Sequence, residues 1–151
     1  MGNRAVITFD KNPTANSVGV YLHWNGGAES VLAFLEACNH FAVRDDSDPA
    51  YQLGRFLQIV GNYFGGTISL GVGTLDRLDC QNYDNGVYRV TRSGKTITME
   101  QSPRGSLSGP WVPLDLACVK AHAYWTPNEK GVPQILADVI ERNNEPFTRK
   151  D

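Results

Sequence analysis

The chain has 151 residues, 41% of them apolar and 20% charged, with a formal net charge of −2. That supports one globular domain with a real core. The charge balance indicates no broad basic surface for nucleic acid, and no apolar run approaches the ~20 residues of a membrane-spanning helix.

Met1-Gly2-Asn3-Arg4 leads straight into a strand-like run, with no apolar leader segment. Val6 stands where an N-myristoylation signal needs Ser or Thr. Three cysteines, Cys38, Cys80 and Cys118, are widely spaced and form no C-x-x-C. That pattern suits reduced thiols of a cytoplasmic protein better than a disulfide framework or a zinc site.

In chain order, Arg4 to Asp10 predicts a first strand and Ser17 to Trp24 a second, in which Val18, Val20 and Leu22 alternate with Gly19, Tyr21 and His23. Their short connection predicts an antiparallel pair. Asn25-Gly26-Gly27 is a tight turn, because glycine supplies the positive φ of sharp reversals. A helix follows over Ala28–His40, with Val31, Leu32, Phe34, Leu35 and Cys38 at helical spacing and Glu29 in its first turn. His40 at its end complements the helix dipole. Asp48-Pro49 then reads as an N-cap with proline at the first helical position. A second helix over Ala50–Phe64 buries Leu53, Phe56, Leu57, Val60 and Phe64, and Gly65-Gly66 closes it.

Thr67 to Gly73 predicts a third strand, with Ile68, Leu70 and Val72 on one side. A polar segment holding Asp76, Asp79, Asn82, Asp84 and Asn85 reads as a solvated loop. Gly86–Arg92 and Lys95–Glu100 form a hairpin across Ser93-Gly94. Gln101–Pro113 is an irregular loop pinned by Trp111, and Leu114–Trp125 fits either a strand or a short helix. A last helix is predicted over 132–143, with a frayed tail over 144–151. The fold expected is a single α+β domain: a mainly antiparallel five- or six-stranded sheet with three helices, two of them consecutive and packed on one face.

The candidate chemistry gathers at the Asn-Gly-Gly turn. A glycine-rich turn feeding a helix start presents backbone N–H groups to an anion. His23 and Trp24 flank it, and Asn25, Gly26 and Gly27 form it. Trp24, Trp111 and Tyr88 fall at strand ends or in loops, where aromatic rings line pockets. Arg55 and Arg89 are the cations suited to a phosphate or carboxylate. Against catalysis, there is no G-x-S-x-G, no dinucleotide or P-loop glycine pattern, and no local Cys–His signature. Asp45, Asp46 and Asp48 lack the central Gly and distal Glu of a calcium loop. Neither a metal nor a cofactor is expected.

Tyr21-Leu22-His23-Trp24-Asn25-Gly26-Gly27, with Ser30-Val31 and Phe34-Leu35, resembles a family of small uncharacterised proteins of phages, prophages and other mobile elements. The likeness extends to Arg55–Val60, Phe64–Gly66 and Asp84–Tyr88, about half the chain. What the resemblance implies is context: an accessory protein of mobile DNA acting against host defences, with no catalytic residues to carry over. The leading expectation is a non-enzymatic protein that binds a host protein or sequesters a small anionic, nucleotide-like ligand. One alternative is a small hydrolase or transferase using His23 with a distant carboxylate. Another is a structural or assembly protein that forms homo-oligomers through a sheet edge.

Overall fold

The computed structural model describes residues 2–44, 48–66 and 68–148, the side chains of 145–148 excepted. The strands are β1 (Ala5–Thr8), β2 (Val18–Leu22), β3 (Leu70–Thr74), β4 (Val87–Ser93), β5 (Thr96–Ser102) and β6 (Val112–Pro113). The helices are α1 (Ala28–Phe41), α2 (Pro49–Phe64), the short α3 (Leu116–Lys120) and α4 (Gln134–Thr148). The fold is α+β, as the alternation and helical spacing predict. One six-stranded sheet runs in the order β3-β2-β1-β4-β5-β6. All neighbours are antiparallel except β1 and β4, which pair parallel with Val6 opposite Val87.

Strand alternation builds two unlike faces. Ala5, Ile7, Val20, Leu22, Tyr88, Val90, Ile97 and Met99 point to the helices and are buried. α1 answers with Val31, Leu32, Phe34, Leu35 and Cys38, and α2 with Phe56, Ile59 and Val60. Phe56 meets Phe9 edge-on at 5.6 Å and Phe34 at 6.2 Å, the offset geometry aromatic quadrupoles favour. α4 closes this layer through Val139 and the buried Asn143, which donates to the Ile59 and Val139 carbonyls.

The opposite face is covered by loops. Val6, Leu75 and Val87 form a small second core, with Tyr21, Leu78, Leu107 and Trp111 packed against it. Asn82, fully buried, holds the 79–86 loop together. Its Oδ1 accepts from the backbone N–H groups of Asp84, Asn85 and Gly86, and its Nδ2 donates to the Asp79 and Gly86 carbonyls.

Several local expectations change. Asp48 caps α2 as predicted, accepting from the Ala50 N–H at 2.9 Å, and Gly65 closes that helix at φ 66°. His40 lies in the last turn of α1, as predicted, with its ring against Phe41; just beyond the helix Arg55 Nε donates to Ala42 O, and Arg92 donates to Leu35 O farther back along it. The hairpin turn is Gly94-Lys95, one residue later than predicted, because Ser93 pairs with Thr96. Leu114–Trp125 resolves as helix, since Asp115 caps α3 and 3₁₀ geometry follows at Ala123–Trp125. α4 runs past 143 to Thr148, so the backbone of 144–148 is helical, and 149–151 lie outside the described residues. β6 forms wholly within the predicted irregular loop. Val72 shares a strand side with Leu70, as predicted, yet is exposed, and Ile68 precedes β3 and is exposed as well. Asp45, Asp46 and Thr67 lie outside the described residues.

Candidate functional site

The turn after β2 is a structural junction. Gly26 N–H donates to Asn3 O at 2.8 Å, and Asn3 N–H donates to His23 O at 2.9 Å. Tyr88 belongs to the core rather than to a pocket wall: it is buried and donates its hydroxyl to Gly26 O at 2.9 Å. A Cβ on Gly26 would stand 2.6 Å from Asn3 O. Asn25 supplies the reversal with φ 59°, tolerable for asparagine. Gly27 precedes α1 with no side-chain cap. The Glu29 carboxylate comes back over it, its Oε2 3.0 Å from where a Gly27 Cβ would be. A carboxylate already sits at this positive helix end, where an anionic ligand would have to bind.

His23 is half-buried. Its Nδ1 and Tyr21 Oη are hydrogen-bonded at 2.9 Å, and its ring meets Trp24 edge-on at 5.1 Å. Trp24 itself is 45% exposed. Burial, then the charge of Asp79, pushes the Tyr21 phenol up, so it stays protonated at neutral pH.

Beside this turn the polar 79–85 segment is tied to the N-terminus rather than left to solvent. Arg4 Nε pairs with Asp84 at 2.7 Å, the Arg4 backbone N–H donates to the same oxygen, and Asp79 lies 3.8 Å from Nη1. The Arg4 side-chain bond is the main reason the Asp84 carboxyl lies below its ordinary range. A carboxylate with a depressed folded-state pKa stabilises above its unfolded value of about 3.9, and that contribution is lost as pH falls through the folded value. Urea midpoints measured against pH should therefore fall through and below about pH 4 in the wild type. Asp84→Asn should lower the midpoint at pH 7 and flatten this acid limb; an acid limb identical to wild type would exclude the pairing.

The two candidate arginines are not brought to the turn. Arg89 lies opposite Thr8, at the other end of β1 from the residue that pairs with Leu22. It pairs with Glu100 at 2.9 Å and lies 4.5 Å over the Trp111 ring, so Trp111 does pin its loop. Arg55 donates to Ala42 O, just beyond α1. α1 has 14 residues, about 20 Å at 1.5 Å per residue, which separates Arg55 from the turn at its other end.

Where α1 ends, a cavity of about 390 Å³ opens against the β4–β5 turn. Asn39, His40, Val43, Arg44, Arg92 and Lys95 line it with Ala42 and Gly94, and none of these is acidic. Arg44 donates to Tyr51 Oη and lies 4.6 Å over its ring, which steadies one wall. Asn39 Nδ2 donates to Lys95 O at 2.8 Å, locking the helix end to the hairpin. The Asn39 Oδ1 is buried without a hydrogen-bond partner among the described residues. Arg44, Arg92 and Lys95 carry no motif. Their meeting depends on a helix end and a hairpin about fifty residues apart in sequence, and only the tertiary fold supplies it.

All three thiols are shifted toward the neutral form. Burial pushes the Cys38 thiol up to about 12. Burial raises Cys80, and the hydrogen bond to Asp115 raises exposed Cys118, so both favour the neutral thiol. His122 accepts from the Tyr124 N–H and has Nε2 3.9 Å from Glu29. Among the described residues no group of three or more His, Cys, Asp or Glu is gathered as for a metal ion, and no helix is long and apolar enough to cross a membrane. Compared with family models, curated proteins and solved structures, the chain matches none.

Proposed function

We propose that this chain is a non-enzymatic binding protein that holds a small phosphate- or carboxylate-bearing ligand in the cavity at the end of α1. The observation that carries the reading is the lining of that cavity by Arg44, Arg92 and Lys95, with no acidic side chain among the described residues that line it. Its volume falls within the range of small-ligand pockets. Arginine forks suit bidentate oxygen pairs, and Lys95 adds a mobile point charge. A nucleotide-like molecule combines those features. The phage and prophage resemblance gives the context in which sequestering it would act against a host. Occupation of an acidic host-protein surface by the same cations is the variant of this reading in which the partner is larger.

Calorimetric titration at low salt with pyrophosphate and with nucleoside mono- and diphosphates tests it. The wild type should bind at least one of them. Lys95→Glu, at an exposed turn position, should weaken that binding by about tenfold or more, equivalent to about 1.4 kcal/mol. A wild type that takes up none of these anions ends the small-ligand proposal.

A further inference from the structure

The two edges of the sheet are unlike. β6 has two residues and contains Pro113, a short and interrupted edge that resists pairing. β3 has five residues, Leu-Gly-Val-Gly-Thr, with no charge and no proline. Its hydrogen-bond phase is fixed at both ends: His23 N–H donates to Ser69 O, and Leu75 N–H donates to Ser17 O. In an antiparallel ladder bonded and non-bonded pairs alternate. Gly71 and Gly73 therefore face β2, and the N–H and C=O groups of Leu70, Val72 and Thr74 point outward from the sheet.

That outward row is centred on Val72. We propose that β3 pairs with β3 of a second copy of this chain, antiparallel about a two-fold axis at Val72. Val72 then exchanges both backbone bonds with Val72 of the second copy, and Leu70 does so with Thr74. Every outward group of the strand is satisfied with no overhang, so the edge is complementary to itself. The axis stands perpendicular to the sheet, and the helices of both copies lie on one side.

Side chains agree with this arrangement. Val72 is opposite buried Val20, so it lies on the helix side of the sheet, yet it is 52% exposed; Val18 on the same side is 46% exposed. Pairing would bring two apolar strips together there. On the other side, Gly71 would stand across from Gly73 of the second copy. The fold of one copy does not demand either glycine: a Cβ at Gly71 would meet Tyr21 at 3.7 Å and one at Gly73 would meet Leu78 at 3.6 Å, both ordinary contacts. Glycine weakens a strand, and where packing does not require it, close approach of another backbone accounts for it. Non-bonded antiparallel pairs have the closer Cα spacing, and Gly71 with Gly73 is such a pair.

Sedimentation velocity over a concentration series tests the proposal. The wild type should pass from monomer to dimer with rising concentration, and Val72→Lys should sediment as monomer throughout while keeping the wild-type circular dichroism. Val72→Cys in a Cys118→Ser background should form a disulfide-linked dimer under mild oxidation, since bonded antiparallel pairs place Cα atoms about 5.5 Å apart, within disulfide reach. A wild type that stays monomeric at the highest concentration, or a dimer that Val72→Lys leaves intact, overturns it. A monomer whose β3 edge instead takes up an extended peptide of another sequence also overturns it.

Discussion

Gly86→Ala should destabilise the protein by roughly 2–6 kcal/mol, a large part of the total stability of a domain this size. Gly86 has φ 66°, and a Cβ there would stand 2.1 Å from Ser102 O and 2.7 Å from Pro103 O. Neither obstacle is the end of a flexible side chain. The backbone cannot move aside cheaply either, because Gly86 O accepts from the Val6 N–H and so anchors the one parallel pairing in the sheet. Gly94→Ala is the matched control. Its φ is 59°, but nothing among the described residues lies within 4 Å of its Cβ position, so only backbone strain of about 1 kcal/mol is expected. Urea denaturation of both variants separates crowding from strain; equal losses would contradict the packing described for Gly86.

Asn82→Ala should cost about 3–5 kcal/mol. One buried side chain accepts three backbone N–H bonds and donates two, so its loss strands several groups at once. Asn82→Asp should not rescue it. Aspartate keeps the acceptors but loses both donors, and it introduces a buried charge in a loop already holding Asp79 and Asp84. Native-state hydrogen exchange should show the Asp84, Asn85 and Gly86 amides deprotected in Asn82→Ala well before the amides of α1. If those three amides keep wild-type protection, the Asn82 hub is wrong.

Local signals made much of this fold legible. α1 and α2 announce themselves by apolar spacing, and α2 also by Asp48-Pro49 and Gly65, because cap chemistry is written within a few neighbouring residues. The β4–β5 hairpin follows from alternation around a glycine turn, displaced by one residue because two adjacent positions compete for the tip. The parallel pairing of β1 with β4 left no such trace. It joins residues some eighty positions apart and rests on Gly86, Asn82 and Arg4, which in sequence look like ordinary loop polarity.

The site divides in the same way. His23, Trp24 and Asn25 form a dense unusual run, and the density reflects a chain reversal stitched to Asn3 and Tyr88. Arg55 stood out as a cation and lies next to the proposed cavity, tied to Ala42 O. Its neighbours Arg44, Arg92 and Lys95 were illegible because each is a single surface cation until α1 and the hairpin bring them together. Tyr88 shows the reverse. Its place at a strand end suggested a pocket, whereas its phase with Val90 puts it in the core.

In the proposed arrangement ligand recognition lies at the end of α1 and the turn at its beginning is structural. Titrating the same nucleoside phosphate into Trp24→Ala and Lys95→Glu, each shown to be folded, tests that division most directly. Trp24→Ala should keep wild-type affinity, and Lys95→Glu should lose about tenfold or more. Weakened binding in Trp24→Ala with Lys95→Glu unchanged would return the site to the Asn-Gly-Gly turn.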